Sequence, residues 1–314
     1  MNKFLKLLLL IAIPMVLFFW LGIIVDKGRR KIKMEYTSVN EVFNGKVNSD
    51  LVISGSSRAA VQISPYILDS ILHLNTYNIG MNGWSFHMQY AMFKVLLKHN
   101  KKPKYVIQIA DDLLFTDRKN FYNYTLFLPY SNDKIIRKAT KHYKGSFTIP
   151  ELYFPLFKYN NKMNKAWKGL KYYFSDKEQT PLVTYKGFWI NDMPWGKTFD
   201  EYKKKHPDRY DSKIDSPLLK EFSEYLEFCS KNDIKVFIVW GPVYYERYHL
   251  LRNSQKFKQI FSSLSSKYNF PFLDYSEDSI GLSKMYFYDS YHLNKQGVEV
   301  FNPRLARDIS ELMK

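Results

Sequence analysis

The chain has a single cysteine among 314 residues, Cys229, so no disulfide can form within it. Cys229 stands in a helix-period run ahead of an apolar strand, where packing rather than reactivity is expected. Internal repeats and low-complexity tracts are missing, which argues against a solenoid or a disordered tail. Acidic residues are scarce. Asp and Glu number 30 against 47 Lys and Arg, a net charge of +17. Such an excess fits a lysine-rich solvated surface, or attraction to anionic lipid or an acidic polymer. Nucleic acid is not expected as a partner, because zinc-finger spacing, an RNP-type strand and a basic helix with a zipper are all lacking.

What is present is apolar bulk. The chain is 46% hydrophobic, with 25 Tyr and 24 Phe, enough for a large core and an aromatic-lined groove. Leu7 to Val25 carries no charge and at helical rise spans about 28 Å, close to the thickness of a bilayer's hydrocarbon. Pro14 is tolerated in such a helix. No small-x-small cleavage site follows, so residues 1–26 are expected to be an uncleaved membrane anchor and 27–49 a polar spacer. Lys27, Arg29, Arg30, Lys31 and Lys33 follow the run, and Lys3 and Lys6 precede it. Taken alone, that balance would leave the large domain in the cytoplasm.

Strand-like runs appear at Leu51–Ser54, Thr76–Ile79, Tyr105–Ala110, Val236–Trp240 and Phe272–Asp274. Between them lie helix-period stretches. Ser64-Pro65 opens Tyr66–His73, Trp84–His99 is amphipathic, Ser216-Pro217 opens Leu218–Asn232, and Asn294 can cap the last stretch to Lys314. This alternation predicts an α/β fold with a mainly parallel sheet over residues 50–314. Residues 115–215 break the rhythm and read as an aromatic-rich insertion, densest over Tyr185–Trp195. It would either pack its own aromatics or form a lid that stacks on sugar rings.

Three blocks carry chemistry. In Gly55-Ser-Ser57-Arg58, a serine follows a buried strand and a glycine, a setting for a nucleophile with backbone N–H groups nearby. Ala59 excludes the Gly-x-Ser-x-Gly elbow. In Asn78-Ile-Gly-Met-Asn-Gly83, two glycines three apart allow a tight turn and close approach to a ligand, which would give the Gly83 N–H a place in an oxyanion hole. In Asp289-x-x-His292, one turn brings a carboxylate to an imidazole and can set its tautomer. No third ligand stands at metal-site spacing, and no cofactor is expected. The remaining histidines, His73, His87, His99, His142, His206 and His249, read as structural or surface residues.

These blocks resemble blocks I, II and V of the SGNH/GDSL hydrolases, over residues 50 to 314 apart from the insertion. The resemblance implies a flavodoxin-like three-layer α/β/α sandwich, with Ser57 as nucleophile, His292 as base, Asp289 as its partner, and Ser57 and Gly83 N–H as oxyanion donors. The anchored layout is similar to D-alanine transfer proteins and alginate-type O-acetyltransferases. That likeness implies an extracytoplasmic domain acting on an acylated envelope glycan, with a membrane-embedded protein as an expected acyl donor. One departure stands out. Gln108-Ile-Ala-Asp-Asp112 puts Asp111 where the family carries a donating Asn. A carboxylate cannot donate, so Asp111 is expected to pair with Arg58, which would then sit beside the oxyanion. The rival expectation is a catalytically silent envelope-assembly or glycan-binding protein with the same fold.

Overall fold

The computed structural model describes residues 3–33, 37–141, 143–175 and 184–314. The described residues divide into two compact units, one drawn from 1–40 and 119–182, the other from 41–118 and 183–314.

The larger unit is built on β1 (Leu51–Ser54), β2 (Thr76–Asn78), β3 (Tyr105–Ile109), the short hairpin β4 (Thr184–Tyr185) and β5 (Phe188–Trp189), β6 (Lys235–Trp240) and β7 (Phe272–Asp274). Five of these form one parallel sheet in the order β2-β1-β3-β6-β7. Central parallel strands are covered on both faces and so are apolar at most positions. Here Ile53, Ile107, Phe237 and Val239 pack with Leu68, Phe301 and Leu305 in one cluster. Val106, Val236, Ile238 and Trp240 join Phe86, Phe93, Phe222, Phe257 and Phe261 in another. Burying each such side chain contributes roughly 1.5–3 kcal/mol. The covering helices include Pro65–Leu72 and Lys295–Met313 with the first cluster, and Phe86–His99, Ser216–Lys231 and Ser254–Tyr268 with the second. This is a doubly wound α/β sheet, in the arrangement expected of a flavodoxin-like sandwich.

Helix starts fall close to their expected places, with one difference. The cap of Ser216–Lys231 is Asp215, whose carboxylate accepts from the Leu218 N–H at 3.1 Å, so Ser216 lies inside the first turn. The β4–β5 hairpin belongs to the α/β unit, where Phe188 is buried in the first cluster.

In the smaller unit the N-terminal helix runs from Lys3 to Arg30, past the apolar stretch. It is long and apolar enough to cross a membrane. Its last turns pack on the helix Met163–Tyr173. A Cβ on Gly28 would fall 1.7 Å from the Gly169 carbonyl oxygen, so only glycine permits that crossing. Asp26, the first charge after the apolar run, accepts from Lys158 Nζ at 2.7 Å and from the Tyr159 hydroxyl at 2.6 Å.

Candidate active site

Order reversal in the sheet falls between β1 and β3, and in such sheets ligands bind in the crevice at the strands' carboxyl ends there. Gly55 follows β1. A Cβ on it would lie 2.7 Å from Ala59 Cβ and 2.9 Å from Ile109 Cβ, so a side chain at this turn would push the helix that follows off the sheet. Ser57 opens that helix, Ser57–Gln62.

Ser57 Oγ lies 2.8 Å from His292 Nε2, and His292 Nδ1 lies 2.8 Å from an Asp289 carboxylate oxygen. Asp289 also accepts the backbone N–H groups of Tyr291 at 2.8 Å and His292 at 2.9 Å. The three-residue spacing thus closes a turn in which one carboxylate holds both the main chain and the ring. Burial pushes the Asp289 carboxyl upward, but the His292 ring and those two N–H donors outweigh it and hold the group below its ordinary range. An ionised Asp289 places the imidazole proton on Nδ1 and leaves Nε2 to accept from Ser57. Tyr288 stacks on the imidazole, 5.3 Å between centroids and 6° from parallel. The side chains of His292 and Asp289 are 18% and 28% exposed, which leaves the pair open to a ligand.

Two buried amides fix the helix that carries Ser57. Asn78 donates to the Ala59 and Ile63 carbonyls at 2.7 and 2.9 Å while accepting from the Gly80 N–H at 2.8 Å. Asn302 donates to the Gln62 carbonyl at 2.7 Å and accepts from the Ser64 N–H at 2.6 Å. Gly83 lies in the turn after β2 at φ +74°, a conformation that favours glycine.

Arg58 is buried. Its Nη2 donates to the carbonyls of Gly241 and Pro242 at 2.6 and 2.9 Å, and its Nη1 lies 3.4 Å from Asp111 Oδ2. Asp111 accepts the Leu113 N–H on its other oxygen at 2.9 Å. The expected site residues therefore fall into two groups. Ser57, His292 and Asp289 form one hydrogen-bonded chain. Arg58 and Asp111 form a buried pair aimed at protein oxygens after β3 and β6.

A second cluster has no signature in local spacing. Asp112 Oδ2 accepts from the hydroxyls of Tyr210 at 3.2 Å and Tyr291 at 3.4 Å. The Arg247 guanidinium donates to the Tyr291 hydroxyl and lies 4.8, 4.5 and 4.5 Å from the ring centroids of Tyr202, Tyr210 and Tyr291. Burial, then the neighbouring Asp111 carboxylate, push Asp112 up to about 6 against the pull of Arg247 and Arg58. Tyr291 was inside the Asp289–His292 block. Its neighbours come from distant segments and could be found only in the folded chain. Among the other histidines, His87 pairs with Glu221 at 2.8 Å, and His142 lies outside the described residues.

No family model and no curated protein matches the chain. Among the solved structures similar to it at low identity are two from Bacteroides species. One, from Bacteroides fragilis, is provisionally designated an acylhydrolase. It is 12% identical, over 89% of this chain and 95% of that one, with a TM-score of 0.40. The other, a GDSL-like lipase from Bacteroides thetaiotaomicron, is 11% identical over 84% and 88%, with a TM-score of 0.38. The reading of the site rests on its own geometry.

Proposed function

We propose that the chain is a membrane-anchored serine ester hydrolase or O-acyltransferase of the SGNH/GDSL kind, acting on acyl esters of a cell-envelope glycan on the extracytoplasmic side. The observation that carries this is the Ser57–His292–Asp289 hydrogen-bond chain at the carboxyl edge of a doubly wound sheet. In the mechanism, Ser57 Oγ attacks the ester carbonyl as His292 Nε2 takes its proton. The N–H groups of Ser57 and Gly83 receive the oxyanion. Collapse expels the alcohol, protonated by His292, and leaves an acyl-Ser57. Water or a sugar hydroxyl then attacks the acyl carbon, again with its proton passing to His292, and Ser57 is released. The apolar N-terminal helix supports anchoring at the membrane where such a polymer, and an acyl-donor protein, would be met.

A fluorophosphonate probe tests the reading on the full chain in detergent. Labelling of Ser57, with loss of acyl-ester turnover in Ser57→Ala and His292→Ala, is expected. Because triad members act as a unit, the double variant should be no worse than either single one. An unlabelled Ser57 beside intact glycan binding would favour the silent binding protein instead.

A further inference from the structure

The smaller unit exposes apolar side chains where a water-facing subdomain would not. Ile149 is 74% exposed, Tyr153 63% and Phe154 50%. They stand on the short helix Ile149–Tyr153 and the turn after it. That turn lies against the N-terminal helix. A Cβ on Gly22 would fall 2.5 Å from the Leu156 backbone nitrogen and 2.6 Å from Pro155 Cβ. Phe154 and Pro155 close a crevice of about 320 Å³ with Pro14, Met15, Phe18 and Phe19. Phe18 precedes Asp26, the first charge, by about 12 Å of helix rise. A segment that touches Phe18 and Phe19 is therefore well inside the apolar stretch.

The charges around this segment are paired within the unit. Glu151 accepts from the Thr148 N–H and hydroxyl at 2.9 and 3.0 Å and faces Lys162 at 3.5 Å. Asp26 is met by Lys158 and Tyr159. Unpaired charge is costly at bilayer depth, and these contacts lower that cost. Beyond the segment, exposed Trp167 and Phe174 alternate with exposed Lys168 and Lys171, the mix of aromatic and basic residues that suits a headgroup layer.

We propose that residues 149–157 dip into the bilayer beside the N-terminal helix, so that the chain holds lipid through a second, non-spanning element as well as its anchor. The occupant of this apolar face is lipid hydrocarbon, because the face is continuous with the lipid-facing side of the helix. The inference rests on the anchor spanning the membrane.

Site-directed spin labelling of the full chain in phosphatidylcholine–phosphatidylglycerol nanodiscs tests it. The native Cys229 is buried, and its thiol is pushed up to about 12, so it does not compete for label. Labels at Phe154→Cys, Ile149→Cys, Phe18→Cys and, as an aqueous control, Lys220→Cys are compared by collision with oxygen and with a water-soluble nickel chelate. The expected result is an oxygen-to-nickel ratio at 154 and 149 several-fold above that at 220 and close to that at 18. If Phe154→Cys does not fold, the exposed position 149 carries the test alone. A nickel-accessible label at 149 with a lipid-like label at 18 overturns the inference and spares the anchor. Exclusion of both reagents from 149 also overturns it, since a protein partner would then cover the face. A nickel-accessible label at 18 removes the anchor and the inference with it.

Discussion

Gln62, the last residue of the helix that opens with Ser57, donates from Nε2 to the main-chain carbonyl of Tyr291 at 2.6 Å. Tyr291 directly precedes His292, so one fully buried amide ties the element that carries Ser57 to the turn that carries His292. The Ser57–His292 distance then depends on a contact that involves neither residue.

Gln62→Ala should cut this tie and leave the Tyr291 carbonyl without that donor. A loss of about 10- to 100-fold in kcat is expected, with KM little changed, because small misplacement of reacting groups is costly while ground-state binding elsewhere is untouched. Ester turnover and the rate of fluorophosphonate labelling should fall together. A wild-type labelling rate would show that the helix and turn hold their relation without Gln62.

Arg58 was expected to pair with Asp111 and to sit beside the oxyanion. Its guanidinium does meet Asp111, after β3, and also donates to two carbonyls after β6. Arg58→Ala should therefore act first on stability, by about 3–5 kcal/mol, because it strands a buried carboxylate and two carbonyls. For a domain of this size that lowers the thermal midpoint by roughly 10 °C. Arg58→Lys should not restore it, since an ammonium cannot reproduce the planar fork. Asp111→Asn keeps an acceptor for the Leu113 N–H and should cost less. A fully stable but inactive Arg58→Ala would return the residue to a direct role at the oxyanion.

The parts of this molecule that sequence order makes visible are those set by short-range rules. The central strands are mostly apolar runs covered on both faces, and Leu51–Ser54 was delimited to the residue. Asp289-x-x-His292 is visible because a single turn sets its geometry. The cap at Asp215 was displaced by one residue because Asp215 and Ser216 are both good caps and Pro217 fits either of the first two helical positions. Contacts between distant segments that no motif marks were not visible. Residues 119–182 share a unit with the N-terminal helix through a crossing at Gly28 and Gly169, and isolated glycines carry no mark of their partner. The Asp112–Tyr210–Arg247–Tyr291 cluster likewise draws on segments far apart in the chain.

That cluster sets the expected pH behaviour. Asp112 faces Asp111, Arg58, Arg247, Tyr210 and Tyr291, and its carboxyl is raised to about 6. A raised carboxyl means that the fold prefers the protonated form, so this group adds stability as pH falls through 6 and removes it as pH rises through the same value. Asp289 works in the opposite sense. Its carboxyl is lowered, so its contribution is present above the ordinary carboxyl range and is lost as pH falls through its folded value. Ionised Asp112 accepts from the Tyr210 and Tyr291 hydroxyls, and Tyr291 in turn supports the Asp289 turn through its main-chain N–H. Protonating Asp112 weakens that support, so kcat/KM should fall on the acid side as Asp112 takes up its proton near pH 6. Asp112→Asn keeps an acceptor but cannot titrate. It should retain most activity at pH 8, lose the part of the acid fall that Asp112 causes, and gain stability over the wild type as pH rises from about 4 to 6, a gain that then holds at higher pH. Tyr291→Phe should lower kcat at every pH. An acid limb unchanged in Asp112→Asn would separate this carboxylate from Ser57, His292 and Asp289.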